Sequence, residues 1–123
     1  MTDLRQPEVW PLSEELTEIL QALIVERSQG VILNFVDTAR HMDAVEIWID
    51  SDGKINYLAA AKPVEEGRSK PWLVFDFAYQ EYRQNGNKED LEEGAHAFRA
   101  WQIQFCRNFQ KHKYEVKYNE YTV

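Results

Sequence analysis

The sequence predicts an α+β fold: an antiparallel sheet of four to five strands with two long helices packed on it. Three observations carry that expectation. Two stretches repeat apolar residues at helical spacing, residues 45–60 alternate around a turn, and further short apolar runs are bounded by turn residues. At 123 residues, 44% hydrophobic and 28% charged, the chain has the size and composition of one globular domain, read as 1–123.

The first helix is expected over residues 12–28. Leu12, Leu16, Ile19, Leu20, Leu23 and Ile24 form one face, with Glu14, Glu15 and Glu18 on the other. Ser13 suits the N-cap, the acids suit the positive end of the helix dipole, and Gly30 is a stop signal. Residues 31–36 open with a Val-Ile-Leu run and are read as a strand, although Ile32, Phe35, Val36 and Ala39 also fit one helical face.

Residues 45–60 read as a β-hairpin. Val45, Ile47 and Ile49 alternate with Glu46, Trp48 and Asp50, the run Asp50-Ser51-Asp52-Gly53 supplies the turn, and Ile55, Tyr57 and Ala59 resume the alternation. Pro63, Gly67, Ser69 and Pro71 mark residues 62–71 as a loop. Residues 72–77 follow as a strand, with Leu73, Phe75, Phe77 and Tyr79 alternating against Trp72, Val74, Asp76 and Ala78, turning at Gln84-Asn85-Gly86-Asn87; Trp72, Phe75, Tyr79 and Tyr82 also lie at helical spacing.

A second helix is expected over residues 90–113. Leu91, Ala95, Phe98, Trp101, Phe105 and Phe109 line one face; acids crowd its start, and Arg107, Lys111 and Lys113 its end. Gly94 is a mild cost to this helix. Tyr114, Val116 and Tyr118 then suggest a C-terminal strand.

Charge is the strongest functional signal. Residues 1–66 hold thirteen acids against five bases, a balance of −8; residues 67–123 hold eight against nine, a balance of +1; together they give −7. An acidic surface attracts basic proteins and repels nucleic acid and anionic membrane, so neither of the latter is expected as a partner. No apolar run reaches the length of a membrane span, the N-terminus lacks the pattern of a signal peptide, and Cys106 is the lone cysteine. A soluble, cytoplasmic protein is expected.

No motif for chemistry holds up. Asp50-Ser51-Asp52-Gly53 looks like the middle of a calcium loop, but the first ligand would be Trp48 and the terminal acid Ala59, so no metal is assigned. His41, His96 and His112 have no zinc spacing, and no cofactor fingerprint occurs. Cys106 and His112 lie about 240° apart around a helix, which places them on different faces, and the thiol reads as buried and inert. No catalytic residue is assigned. A small enzyme or ligand-binding domain with a pocket near His41 remains the alternative.

In size, acidity and lack of a catalytic motif the chain resembles the immunity proteins of bacterial toxin systems. That resemblance implies a non-enzymatic inhibitor that docks a basic toxin domain. Asp43, Glu46, Asp50 and Asp52 around the hairpin would meet the basic partner, with Trp48 as an aromatic anchor. Glu14, Glu15 and Glu18 form the second candidate surface.

Overall fold

The computed structural model describes residues 3–65 and 68–121. In chain order these form α1 (Glu14–Ile24), β1 (Gly30–Asp37), β2 (Met42–Ile49), β3 (Ile55–Glu65), β4 (Arg68–Asp76), β5 (Glu81–Gln84), β6 (Asn87–Glu89), α2 (Leu91–Gln110) and β7 (Tyr114–Tyr121). The strands make one antiparallel sheet in the order β6-β5-β4-β3-β2-β1-β7. The α+β class stands, but the sheet has seven strands, not four or five.

Two differences account for the larger sheet. The segment read as a loop, 62–71, is mostly strand: β3 and β4 stay paired out to Glu65 and Arg68. Pro63 lies opposite Ser69 and Pro71 opposite Ala61, and the register shifts in both places, the irregular settings in which a sheet tolerates proline. The polar run after Phe77 forms the small β5–β6 hairpin around Asn85 and Gly86, both at positive φ.

Both helices pack on one face of the sheet. Val31, Leu33 and Phe35 of β1, Val45, Ile47 and Ile49 of β2, and Leu73 and Phe75 of β4 are buried there against Leu16, Leu20 and Ile24 of α1 and Phe98 and Phe105 of α2. Aromatic edges and faces fill the layer: Phe35 meets Phe105 edge-on at 5.0 Å and Phe75 stacks on Tyr82 at 5.0 Å.

Both helix starts are capped, α1 by Ser13 as expected and α2 by Asp90, which the sequence reading places inside the helix. Ser13 Oγ accepts from Leu16 N at 3.1 Å, and Asp90 Oδ1 accepts from Glu93 N at 2.8 Å. Gln102 of α2 is buried because its amide joins the two helices: Oε1 accepts from Ser13 N at 2.6 Å, and Nε2 donates to Pro11 O. The α2 face is rotated from the expected one. Leu91 is exposed and Trp101 half-buried, while Gly94, Gln102 and Cys106 are buried.

Candidate functional site

Among the described residues no helix lies over the second face of the sheet, and register decides what that face displays. Ile32 pairs with Trp48, and Trp48 with Tyr57; Tyr57 pairs in turn with Asp76. The adjacent row runs Asn34, Glu46, Ala59, Val74. All these residues alternate with the buried ones and are half-buried.

The hairpin alternation expected from the sequence breaks at one position. Trp48 pairs with Tyr57 and Ile49 with Ile55, so Asn56 is an extra residue in β3. Such a bulge flips the residues beyond it. Ile55 faces the core, but Tyr57 and Ala59 face outward, and Leu58 and Ala60 take the buried places.

The result is an aromatic patch with carboxylates beside it. The Trp48 ring sits 5.4 Å from Tyr57 and 5.2 Å from Tyr121. Asn56 Nδ2 donates to the Tyr121 hydroxyl at 3.2 Å, which holds that ring in place. Burial, then the charges of Glu46 and Asp76, push the Tyr57 phenol up from its ordinary pKa, so it stays a neutral donor near neutrality. The Trp48 indole N–H is buried with no acceptor among the described residues.

The sequence-derived site residues separate into three places. Glu46 and Trp48 share the open face, and Asp43, exposed, pairs with Val36 at its end. Asp50 closes the β2–β3 turn instead: its Oδ1 accepts from Asp52 N and Lys54 N at 3.0 Å each. Asp52 is exposed on that turn. Glu14, Glu15 and Glu18 are exposed on α1, which packs on the opposite face, and Glu15 accepts from Gln110 Nε2. Tyr57, Asp76 and Tyr121 escape sequence reasoning because only strand register gathers them.

Ion pairing leaves the acidic half mostly uncompensated. Among the described residues the ion pairs are Arg68–Glu65, Arg83–Glu81 and Lys88–Glu81. Asp43, Glu46, Asp50 and Asp52 have no cation within pairing distance among the described residues. On the open face the bases stand toward the edges: Arg83 beside Val74, Lys88 beyond it, and Lys117 opposite Asn34.

The remaining chemistry-bearing groups stand apart. His41 is exposed at positive φ in the β1–β2 turn, its N–H donating to Asp37 O. Cys106 is buried as expected, and burial followed by the charge of Glu15 pushes its thiol up to about 11. Neither described helix is long and apolar enough to cross a membrane.

No family model and no curated protein matches the chain. Solved structures share the fold, among them two proteins of Vibrio cholerae. The hypothetical protein VC0508 from the VSP-II pathogenicity island of Vibrio cholerae is 17% identical, with a TM-score of 0.73 over 98% of this chain and 100% of that one. The conserved hypothetical protein VC1805 from pathogenicity island VPI-2 of the same organism is 18% identical, with a TM-score of 0.75 over 94% of this chain and 99% of that one. VC1805 is itself described as sharing structural homology with the human P32 protein. At these identities the likeness establishes a common fold and no activity.

Proposed function

We propose that the chain is a non-enzymatic binding protein that docks a basic protein segment on the open face of its sheet. The observation that carries this reading is the row Asp76, Tyr57, Trp48 with Glu46 beside it, uncovered by either helix and unpaired with any cation among the described residues. An arginine or lysine laid on Trp48 or Tyr57 gains cation–π attraction, and its charged end reaches Glu46 or Asp76. The buried Trp48 N–H lacks a partner among the described residues, and an unmade bond of this kind costs about 1–3 kcal/mol. A small tilt of the ring toward a peptide carbonyl would recover it.

The open face is favoured over the α1 acids because it joins charge to aromatic area, and interface energy concentrates on aromatic and arginine anchors. An immunity-type inhibitor of a basic toxin is the biological role this reading fits best.

Titration with an extended alternating arginine–threonine peptide, followed by amide chemical shifts, tests the reading. Perturbations should gather on Ile32, Glu46, Trp48, Tyr57 and Asp76 and fade as salt is raised. Shifts confined to Glu14, Glu15 and Glu18, or none at all, would sink it. For the immunity role, a toxin encoded beside the gene should be neutralised by the wild type and not by the Glu46→Lys variant.

A further inference from the structure

A recess lies on the helix side of the sheet, beyond Phe105, where the β1–β2 turn meets the end of α2. Its volume is about 200 Å3. Two sheet irregularities open it. Ala44 is the extra residue of β2 opposite β1, and Trp72 the extra residue of β4 opposite β3; both line the recess. Bulges re-aim side chains in this way. Ala60 and Ala61 continue the lining, and their single methyl groups leave space that longer side chains would fill.

The walls are aromatic and the rim is cationic. Trp72, Trp101 and Tyr114 line it with their rings, Trp101 stacked on Phe98 and Phe105 and Tyr114 on Phe105, and Asn108 Nδ2 donates to the Tyr114 hydroxyl at 3.3 Å. Arg40 and Lys113 line the recess, each exposed and with no carboxylate in pairing distance among the described residues. The backbone fixes their positions: Thr38 N and Thr38 Oγ1 both donate to Lys113 O, at 3.0 and 3.2 Å, which ties the β1–β2 turn to the α2–β7 connection. Asp37 is the carboxylate of the lining, and its Oδ1 is occupied by Ala39 N and Arg40 N at 2.9 and 3.1 Å. In a chain of net charge −7, this recess therefore carries two cations against one committed acid.

We propose that this recess is a binding site for a small aromatic carboxylate. The planar body packs against the Trp72 ring and the edges of Trp101 and Tyr114, and the carboxylate meets the Arg40 guanidinium, whose planar fork matches it in two parallel hydrogen bonds. Lys113 adds a second positive charge. The volume falls below the roughly 300–1,000 Å3 of drug-sized sites, which sets the ligand at one or two rings. His41 is not in the lining, so the pocket offers binding and no proton-transfer group at that position.

This site is independent of the open face, and its test uses a different probe. 2-Naphthoate is titrated into the full chain while tryptophan emission and amide shifts are followed. Saturable binding is expected, with shifts at Arg40, Ala44, Trp101 and Lys113. The neutral isostere 2-naphthalenemethanol should bind about tenfold more weakly or worse, since it forfeits the charge-assisted pair. Arg40→Ala/Lys113→Ala, at two exposed positions, should weaken naphthoate by a similar factor and leave the arginine–threonine peptide titration unchanged. Ala61→Leu should exclude the probe by filling the recess. Equal affinity for acid and alcohol, shifts away from these residues, or no saturation at millimolar probe would overturn the proposal.

Discussion

Trp10 and Gly94 meet with no side chain between them: a Cβ built on Gly94 would lie 2.9 Å from Trp10 Nε1 and from two of its ring carbons. The same indole donates to Leu91 O at 3.0 Å and meets Phe75 and Phe77 edge-on. The glycine that reads as a defect in the helix is what admits the ring. Gly94→Ala should gain about 1 kcal/mol of helix propensity and lose about 1–3 kcal/mol to overpacking. A net destabilisation is expected in urea unfolding. A more stable variant would show that the indole moves aside freely.

The face that α2 turns inward is open to a direct comparison. Phe98 is buried and touches Phe75, Phe77 and Trp101. Phe98→Ala should cost about 3–5 kcal/mol. Ile103 is 59% exposed, and its replacement by Ala should stay within about 0.5 kcal/mol. Trp101→Ala should fall between them. Equal losses at 98 and 103 would contradict the packing.

The protein should lose stability on the alkaline side. Burial holds the Cys106 thiol protonated to about 11, against an ordinary 9.0. Between those values the unfolded chain releases the proton and the folded one keeps it, so stability is intact below about pH 9 and falls as pH rises through this window. Burial raises Tyr82 and Tyr114 as well, adding to the decline above pH 10. Cys106→Ala should flatten the slope between pH 9 and 11 in chemical denaturation without abolishing it. In the native state the thiol should resist Ellman's reagent at pH 8 and react once unfolded.

Charge reversal should separate the acids by role. Glu46→Lys should leave the fold intact and weaken the arginine–threonine peptide by about tenfold or more, because it replaces an attraction at the aromatic row with a repulsion; Asp76 is left in place because its Oδ1 accepts from Tyr79 N at 2.9 Å in the β4–β5 turn. Asp52→Lys, out on the turn, should do less. Asp50→Lys should instead lower the melting temperature, since it removes the acceptor that closes the β2–β3 turn. Calorimetry of the three variants distinguishes these outcomes.

The helices were legible because their signals are local: Ser13 and Asp90 cap within three residues, and apolar periodicity marks the faces. The β2–β3 hairpin was legible for the same reason, down to Trp48 pointing away from Val45, Ile47 and Ile49. The missed features depend on partners distant in sequence. Pro63 and Pro71 signal a break, and only pairing with the neighbouring strand overrides it. The Asn56 bulge leaves no local mark, so the sequence alternation groups Tyr57 with Ile55 on one face. The candidate site inherits that limit. Its acids and Trp48 were visible as a cluster, whereas Asp76 and Tyr121 arrive from strands 28 and 73 positions beyond Trp48.

The β3–β4 ribbon crosses the boundary between the acidic and the balanced portions of the chain, and it does so in the interior of the sheet. Severing the connection between Glu65 and Arg68 would therefore not release two modules. Each fragment would carry a long raw edge whose complement is the other fragment. The pieces should stay clamped together after a single proteolytic nick and should precipitate when expressed apart.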